Sequence, residues 1–217
     1  MLAVTLGGAP DRPLSLLCLG AHSDDIEIGC GGTVLRLLAE HPGSRVHWVV
    51  FSADDAREHE ARSSAAELLT DADHVEVIVH RFRESYFPSV ADHVKDQFEL
   101  LKTAVEPDLV LTHRRDDVHQ DHRTIGELTW NAFRDHLIAE YEIPKYEGDL
   151  GHPNLYVPLD EATATRKVDH LMAAFGSQRS KRWFRPETFR GLMALRAIEC
   201  NTPHGWAEAF HVRKIVV

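Results

Sequence analysis

The chain has 217 residues, 43% hydrophobic and 27% charged, a balance typical of one globular domain with a substantial core over residues 1–217. Its formal net charge of −10 at pH 7 argues against nucleic acid and anionic membranes as partners, because both are bound by clustered Lys and Arg. Three widely spaced cysteines, Cys18, Cys30 and Cys200, argue against a disulfide framework and indicate a cytoplasmic protein.

The N-terminal segment, residues 1–13, lacks the basic start of a secretory signal, and glycines and a proline interrupt its apolar stretch. No apolar run in the sequence approaches the roughly 18 residues that a membrane span needs. We therefore expect neither a secretory signal nor insertion into a membrane.

The first two thirds of the chain alternate short apolar runs with helical patterns. The predicted strands are residues 14–20, 45–52, 75–80 and 108–112. The predicted helices are residues 31–40, 54–69, 90–105 and 124–139. Because strands that alternate with helices form βαβ units, the predicted fold class is α/β with a mostly parallel sheet.

The C-terminal half is predicted to be loop-rich. Residues 141–158 contain three prolines and two glycines, which favour loops. Helical patterns follow at residues 161–175 and 186–198, and residues 211–217 are predicted to form a final strand.

A first group of polar residues follows the first predicted strand in the segment AHSDDIEIGCGGT, residues 21–33. Ligands of open α/β sheets bind beyond the carboxyl ends of the strands, where His22, Asp24 and Asp25 would lie. Histidine and aspartate are suitable zinc ligands, and a neighbouring aspartate could act as a base. Helix capping by the aspartates is the simpler alternative. A nucleotide loop has little support, since neither GxGxxG nor a Walker lysine is present.

A second group follows the fourth predicted strand in the segment HRRDDVHQDHR, residues 113–123. It contains Asp117, His119, Asp121 and His122 within six residues. A solvated charged loop would explain its arginines but not its paired histidines. Because parallel strands end at the same edge of a sheet, the two groups should meet there. Three protein ligands would leave a position for water, and oxygen and nitrogen ligands favour zinc, with iron(II) or another divalent ion as the alternative.

Together the two segments resemble the LmbE-like or PIG-L-like family, the N-acetylglucosaminyl-phosphatidylinositol and mycothiol-pathway deacetylases. That family carries A-H-P-D-D-E before a glycine-rich turn and H-x-D-H later. Here the motifs stand as residues 21–25 and 119–122. The resemblance covers most of the chain, and residues 133–151 and 206–214 are similar to a sugar-deacetylase subgroup. It implies a Rossmann-like, three-layer α/β fold.

The resemblance implies a role for each matching residue. Three residues are implied to bind zinc, namely His22, Asp25 and His122. Asp24 is the implied general base, and His119 the implied acid or oxyanion-stabilising group. Asp121 is implied to orient His119.

The sequence departs from the family at two positions. Ser23 replaces the usual proline, which removes a backbone constraint but no functional group. Asp117 stands where some relatives place a tyrosine that is thought to help at the carbonyl. We therefore expect the chemistry here to depend more on zinc and His119.

The expected activity is hydrolytic removal of an N-acetyl group from a small-molecule amino sugar or sugar conjugate. The alternatives are an amidase of the same fold, a metallophosphoesterase, which would need more carboxylates, and a metal-stabilised binding module. A homo-oligomer is left open. The candidates for holding an anionic part of the substrate are Arg57, Arg62, Arg83, Arg134, Lys145, Arg185 and Arg196.

Overall fold

A computed structural model describes residue 5 and residues 12–216. Seven strands lie in one sheet: β1 (Ser15–His22), β2 (Arg45–Ser52), β3 (His74–Val79), β4 (Leu109–His113), β5 (Ile138–Tyr141), β6 (Leu155–Leu159) and β7 (Trp206–His211). Their order is β3-β2-β1-β4-β5-β7-β6. The strands from β3 to β5 are parallel, and β7 is antiparallel to both of its neighbours.

The described residues also form six α-helices: α1 (Asp25–Glu40), α2 (Asp55–Leu68), α3 (Ala91–Ala104), α4 (Gln120–Ala132), α5 (Glu161–Ala174) and α6 (Pro186–Cys200). Two 3₁₀ turns, Phe87–Val90 and Gly176–Gln178, complete the helical structure there. None of the helices in this part of the chain is long and apolar enough to cross a membrane.

Two hydrophobic cores cover the two faces of the sheet. Leu16 and Cys18 of β1 point into a core shared with α1, α2, α5 and α6. Leu17 and Leu19 point to the opposite side, into a core shared with α3 and α4. This alternation along one strand is the expected consequence of the period of two in β-structure. The predicted Rossmann-like, three-layer α/β fold is confirmed.

The sheet opens between β1 and β4 at their carboxyl ends. Pairing of β1 with β2 continues to His22 and Ser52, whereas pairing of β1 with β4 stops at Cys18 and Leu111. The chain leaves β1 toward β2 on one side and later returns to β4 on the other. The opening is therefore a topological switch point, where α/β proteins bind their ligands.

Three sequence predictions of secondary structure in the second half of the chain are wrong in part. The helix predicted to reach residue 139 ends at Ala132, and β5 follows it as a buried strand of four residues that pairs with β4. The loop predicted for residues 141–158 contains β6, whose Pro158 is tolerated because β6 is an edge strand. The final strand is Trp206–His211 rather than residues 211–217, of which residue 217 lies outside the described part.

Of two predictions for the amino-terminal part of the chain, the start of the first helix is wrong and the absence of a secretory signal is not tested. Helix α1 begins at Asp25, six residues before the predicted start at residue 31, because the glycines at 29, 31 and 32 lie inside the helix and do not precede it. Most of residues 1–13, on which the prediction about a secretory signal rests, lie outside the described residues.

Helix α1 packs directly against the ring of Tyr141. A Cβ atom on Gly29 would lie 2.2 Å from Cδ2 of that ring, far inside van der Waals contact. The ring is fully buried, and its hydroxyl donates a hydrogen bond of 2.6 Å to the carbonyl of Leu19. Glycine at position 29 therefore lets the start of α1 approach the sheet at the opening between β1 and β4.

A buried ion pair ties the C-terminal part of the chain to the same helix. The Lys167 ammonium lies 2.5 Å from Oε1 of Glu208 and donates a hydrogen bond of 2.6 Å to the carbonyl of Ile28. The Glu208 carboxylate accepts hydrogen bonds from the amides of Gly32 and Thr33, at 2.9 and 2.6 Å. Both charges are paired and hydrogen-bonded, as burial requires.

We expect Gly29→Ala to destabilise the protein by about 1–3 kcal/mol, because the added methyl group would clash with the buried ring of Tyr141. The matched control is Gly191→Ala in α6, where a Cβ atom meets no other atom within 4 Å. That change should stabilise by up to about 1 kcal/mol through helix propensity. Urea unfolding measures both, and equal effects of the two substitutions would contradict the packing argument.

The last residue of β7, His211, should make the folded protein less stable at acid pH. Burial, together with the neighbouring cations Arg114 and Arg196, lowers the pKa of His211 from 6.5 to about 4. Between these pH values the unfolded chain binds a proton at this histidine and the folded chain does not, so stability falls as the pH falls. Above the unfolded pKa the residue makes no such contribution.

We therefore expect His211→Gln to lose less stability than the parent protein when the pH is lowered from about 7 to about 4.5. Urea unfolding of both proteins at the two pH values, with chelator present, measures the difference. The same loss in both proteins would show that His211 does not carry this sensitivity.

Candidate metal centre

The turn between β1 and α1 carries the first group of polar residues. His22 is the last residue of β1, Asp24 is the N-cap of α1, and Asp25 is its first residue. All three are buried. Oδ2 of Asp25 accepts a hydrogen bond of 2.6 Å from the backbone amide of His22, which holds the turn closed.

The turn between β4 and α4 carries the second group. β4 ends at His113, and His119 is the N-cap of α4, where its Nδ1 accepts a hydrogen bond from the amide of Asp121. Because Nδ1 is an acceptor in this contact, the proton of a neutral His119 ring lies on Nε2. In the first turn of the same helix, the buried ring of His122 points back toward β1.

The structure brings together three of the residues predicted from sequence. Nδ1 of His22 lies 3.2 Å from Nε2 of His122 and 3.3 Å from Oδ2 of Asp25. Nε2 of His122 lies 3.5 Å from Oδ1 of Asp25. Tetrahedral ligands with bonds of about 2.0–2.1 Å to zinc are separated by about 3.3–3.4 Å. The spacing of the two histidine nitrogens therefore fits a zinc-sized divalent cation, and Asp25 presents one carboxylate oxygen to each of them.

Two further histidines offer donor atoms to the same place. His119 forms a three-donor group with His22 and His122, and His113 forms another with Asp25 and His122. In each group the ligand atoms lie within 4.8 Å of one another. His122 belongs to both groups and is the common point of the centre.

The carboxylate of Asp121 does not contact His119, although the sequence prediction required this contact. Its Oδ2 lies 3.2 Å from Nε2 of His22, and its carboxylate also accepts the amides of Ser85 and Phe87, at 2.6 and 3.2 Å. Only its backbone amide contacts the His119 ring. The reason is geometric: a side chain in the first turn of α4 points across the opening toward β1. A carboxylate placed behind a histidine in this way orients the ring of a metal ligand.

Asp117 lies behind the ring of His122, as Asp121 lies behind the ring of His22. Its Oδ2 lies 3.2 Å from Nδ1 of His122 and 3.0 Å from the ammonium of Lys145. Burial raises the pKa of Asp117, but the nearby histidines and Lys145 outweigh it and hold the pKa well below its usual range. Lys145 also lies 2.6 Å from Asp149, so its ammonium pairs with two carboxylates.

His113 is a component of the site to which the sequence analysis gave no role. Its side chain is fully buried, and Nε2 lies 3.1 Å from Oδ2 of Asp25 while accepting the amide of Ala21 at 2.9 Å. Its ring stacks on His122 with centroids 4.0 Å apart. The available signal was its position as the first residue of the second segment, directly after a strand.

The electrostatics favour positive charge between the carboxylates. Burial lowers the pKa of His22, but Asp25 and Asp121 outweigh it and raise the pKa to about 10. Burial and the neighbouring His113 lower the pKa of His122 to about 3. His122 is therefore a neutral imidazole, the form that binds metals, and the carboxylates favour a proton on the His22 ring beside it.

Asp24 precedes Asp25 in the chain, and its buried carboxyl contacts an arginine. Burial raises its pKa, the charge of Asp25 adds to this, and Arg57 opposes it. One guanidinium nitrogen of Arg57 lies 3.4 Å from Asp24, another donates to the Ser23 hydroxyl at 3.1 Å, and a third lies 2.7 Å from Glu84. A raised pKa suits a carboxylate that takes up a proton.

The fold and the site define a class of protein, the Rossmann-like α/β proteins with a histidine and aspartate centre at the switch point of the sheet. The sequence profile of the PIG-L family, described as GlcNAc-PI de-N-acetylase, matches residues 17–133, more than half of the chain. The chain therefore belongs to the PIG-L family. No curated protein sequence matches it significantly.

Solved structures share the fold over nearly the whole chain. The conserved protein TT1542 from Thermus thermophilus superposes with a TM-score of 0.74 at 18% identity, covering 94% of this chain and 96% of that one. N,N'-diacetylchitobiose deacetylase from Pyrococcus horikoshii gives 0.66 at 20% identity, covering 96% and 87%. The 4-carboxy-2-hydroxymuconate hydratase from Pseudomonas putida KT2440 gives 0.67 at 17% identity, covering 94% and 98%.

Proposed function

We propose that this protein is a zinc-dependent hydrolase that removes an N-acetyl group from an amino sugar or sugar conjugate. The observation that carries the proposal is the convergence of His22, Asp25 and His122 within 3.5 Å at the switch point, with the buried carboxyl of Asp24 next to Asp25. Membership of the PIG-L family and the fold of a sugar deacetylase support the same reaction.

His22, Asp25 and His122 would hold the metal. Zinc, when bound, supplies a Lewis acid for the amide carbonyl and lowers the pKa of water. Each proposed ligand is held in place by a buried partner, and for the histidines these partners are the carboxylates of Asp121 and Asp117. Such contacts fix the tautomer and the orientation of a ligating imidazole.

Asp24 would act as the general base. Its raised pKa makes it a competent proton acceptor, and it is the carboxyl next to the ligand Asp25 in the chain. Arg57 keeps the carboxylate in one orientation from the side of α2. After it has accepted the proton from the attacking water, Asp24 can return that proton to the departing amine.

His119 would stabilise the developing oxyanion. Burial and the nearby His22 lower its pKa, so the ring is neutral near pH 7. Since Nδ1 accepts the amide of Asp121, the Nε2–H group is the one that donates. His119 therefore serves as a hydrogen-bond donor rather than as a charged acid.

An amidase of the same fold that acts on a non-sugar amide is the principal alternative. The fold also supports a different reaction class, because one of the similar structures is a hydratase. A panel of N-acyl sugars, non-sugar amides and unsaturated carboxylates distinguishes a sugar deacetylase, an amidase and a hydratase. The measured product is the released amine or the hydrated carboxylate. We expect amine from the N-acetyl sugars, and product from either other group alone would overturn the assignment.

We expect Asp24→Asn to retain zinc and to lose about 10²–10⁴-fold in kcat, because the base is gone while the ligands remain. His122→Ala should lose zinc together with activity. The matched control is Asp54→Asn, the same chemical change at the exposed N-cap of α2, where asparagine caps equally well. Metal content by elemental analysis and amine release are measured for all three variants. Full activity in zinc-loaded Asp24→Asn would disprove the role of Asp24.

A further inference from the structure

The opening between β1 and β4 leaves backbone groups of β1 without a strand partner on that side. Strand pairing stops at Cys18 and Leu111, yet the next groups of β1, the Leu19 carbonyl and the Ala21 amide, are buried. Two side chains replace the missing strand. The Tyr141 hydroxyl donates to Leu19, and Nε2 of His113 accepts the amide of Ala21. Buried backbone groups need such partners, so the opening requires both side chains.

Of these two side chains, His113 also touches a proposed metal ligand. Nε2 lies 3.1 Å from Oδ2 of Asp25, which already accepts the amide of His22 at 2.6 Å. The other oxygen, Oδ1, faces His122 at 3.5 Å. One carboxylate oxygen is therefore tied to the protein, and the orientation of the second is fixed by the first.

We propose that His113 is a positioning residue of the metal centre: by accepting the Ala21 amide it completes the end of β1, and so it fixes the turn in which the next amide, that of His22, holds Oδ2 of Asp25. The inference rests on the proposed function, since it concerns how the proposed ligand Asp25 is oriented. The direct partner of Asp25 is the His22 amide, and His113 supports it from the preceding residue of β1.

The competing interpretation is that His113 is itself a metal ligand, because it forms a three-donor group with Asp25 and His122. Its position argues against this, since Nε2 accepts the amide of Ala21 and that contact uses the lone pair that would bind a metal. The two interpretations predict different behaviour of a glutamine at this position. The side-chain carbonyl of a glutamine can accept the Ala21 amide, so it can replace this contact of His113 without an imidazole.

The test is cobalt(II) binding to the metal-free protein, with affinity from chelator competition and the ligand set from the visible absorption spectrum. We expect His113→Phe to bind cobalt about 10–100-fold more weakly, the usual effect of removing a partner behind a metal ligand. His113→Gln should recover most of the affinity and keep the parent spectrum. Tyr141→Phe is the matched control, because it removes the other side-chain bond at the same opening and keeps the parent affinity. Urea unfolding of the metal-free variants reports any loss of structure separately.

Unchanged cobalt affinity in His113→Phe would overturn the inference, and so would an equal loss in Tyr141→Phe. A spectrum of His113→Gln with one nitrogen ligand fewer would show that His113 binds the metal and would also overturn it. A parent protein that binds cobalt but releases no amine would contradict the proposed function and leave the inference about His113 standing. Failure of the parent protein to bind cobalt would contradict both.

Discussion

The separation of β1 from β4 beyond Cys18 and Leu111 is the constraint on which the site depends. It opens the sheet at the switch point and lets the turns after both strands face one another. The same separation breaks a ladder of hydrogen bonds inside the core, where unpaired backbone groups are costly. The side chains of Tyr141 and His113 offset that cost at the Leu19 carbonyl and the Ala21 amide, so the crevice and its walls form together.

The buried charges explain why this crevice should attract a cation. The carboxylates of Asp25, Asp117 and Asp121 are buried around the histidines, and Lys145 pairs with only one of them. Unpaired buried charge is strongly unfavourable, so positive charge must enter from elsewhere. The carboxylates of Asp25 and Asp121 raise the pKa of His22 to about 10, so a proton on this ring is one source of that charge. A divalent metal ion at the same place would satisfy the carboxylates and release the proton.

The sequence revealed the polar residues of the site because they stand in two short segments that each follow a strand. It did not reveal their partners, which depend on contacts between distant parts of the chain. Asp121 was predicted to face His119, but the register of α4 against β1 sends its carboxylate to His22. Strand β5 was missed because four residues are too few to show a period, and its place is decided by pairing with β4. The role of His113 depends on where two strands part, which no local pattern encodes.

The C-terminal part of the chain supports a centre to which it contributes none of the proposed ligands. The family profile ends at residue 133, and the proposed ligands, base and oxyanion donor all precede that point. Beyond it, Lys145 neutralises Asp117, and Lys167 with Glu208 braces α1 behind Asp25. A metal centre needs ligands fixed to within a fraction of an ångström, and short turns alone do not supply that rigidity. The loop after β5, helix α5 and strand β7 are therefore part of the site's construction, because they hold in place the turns that carry its reactive side chains.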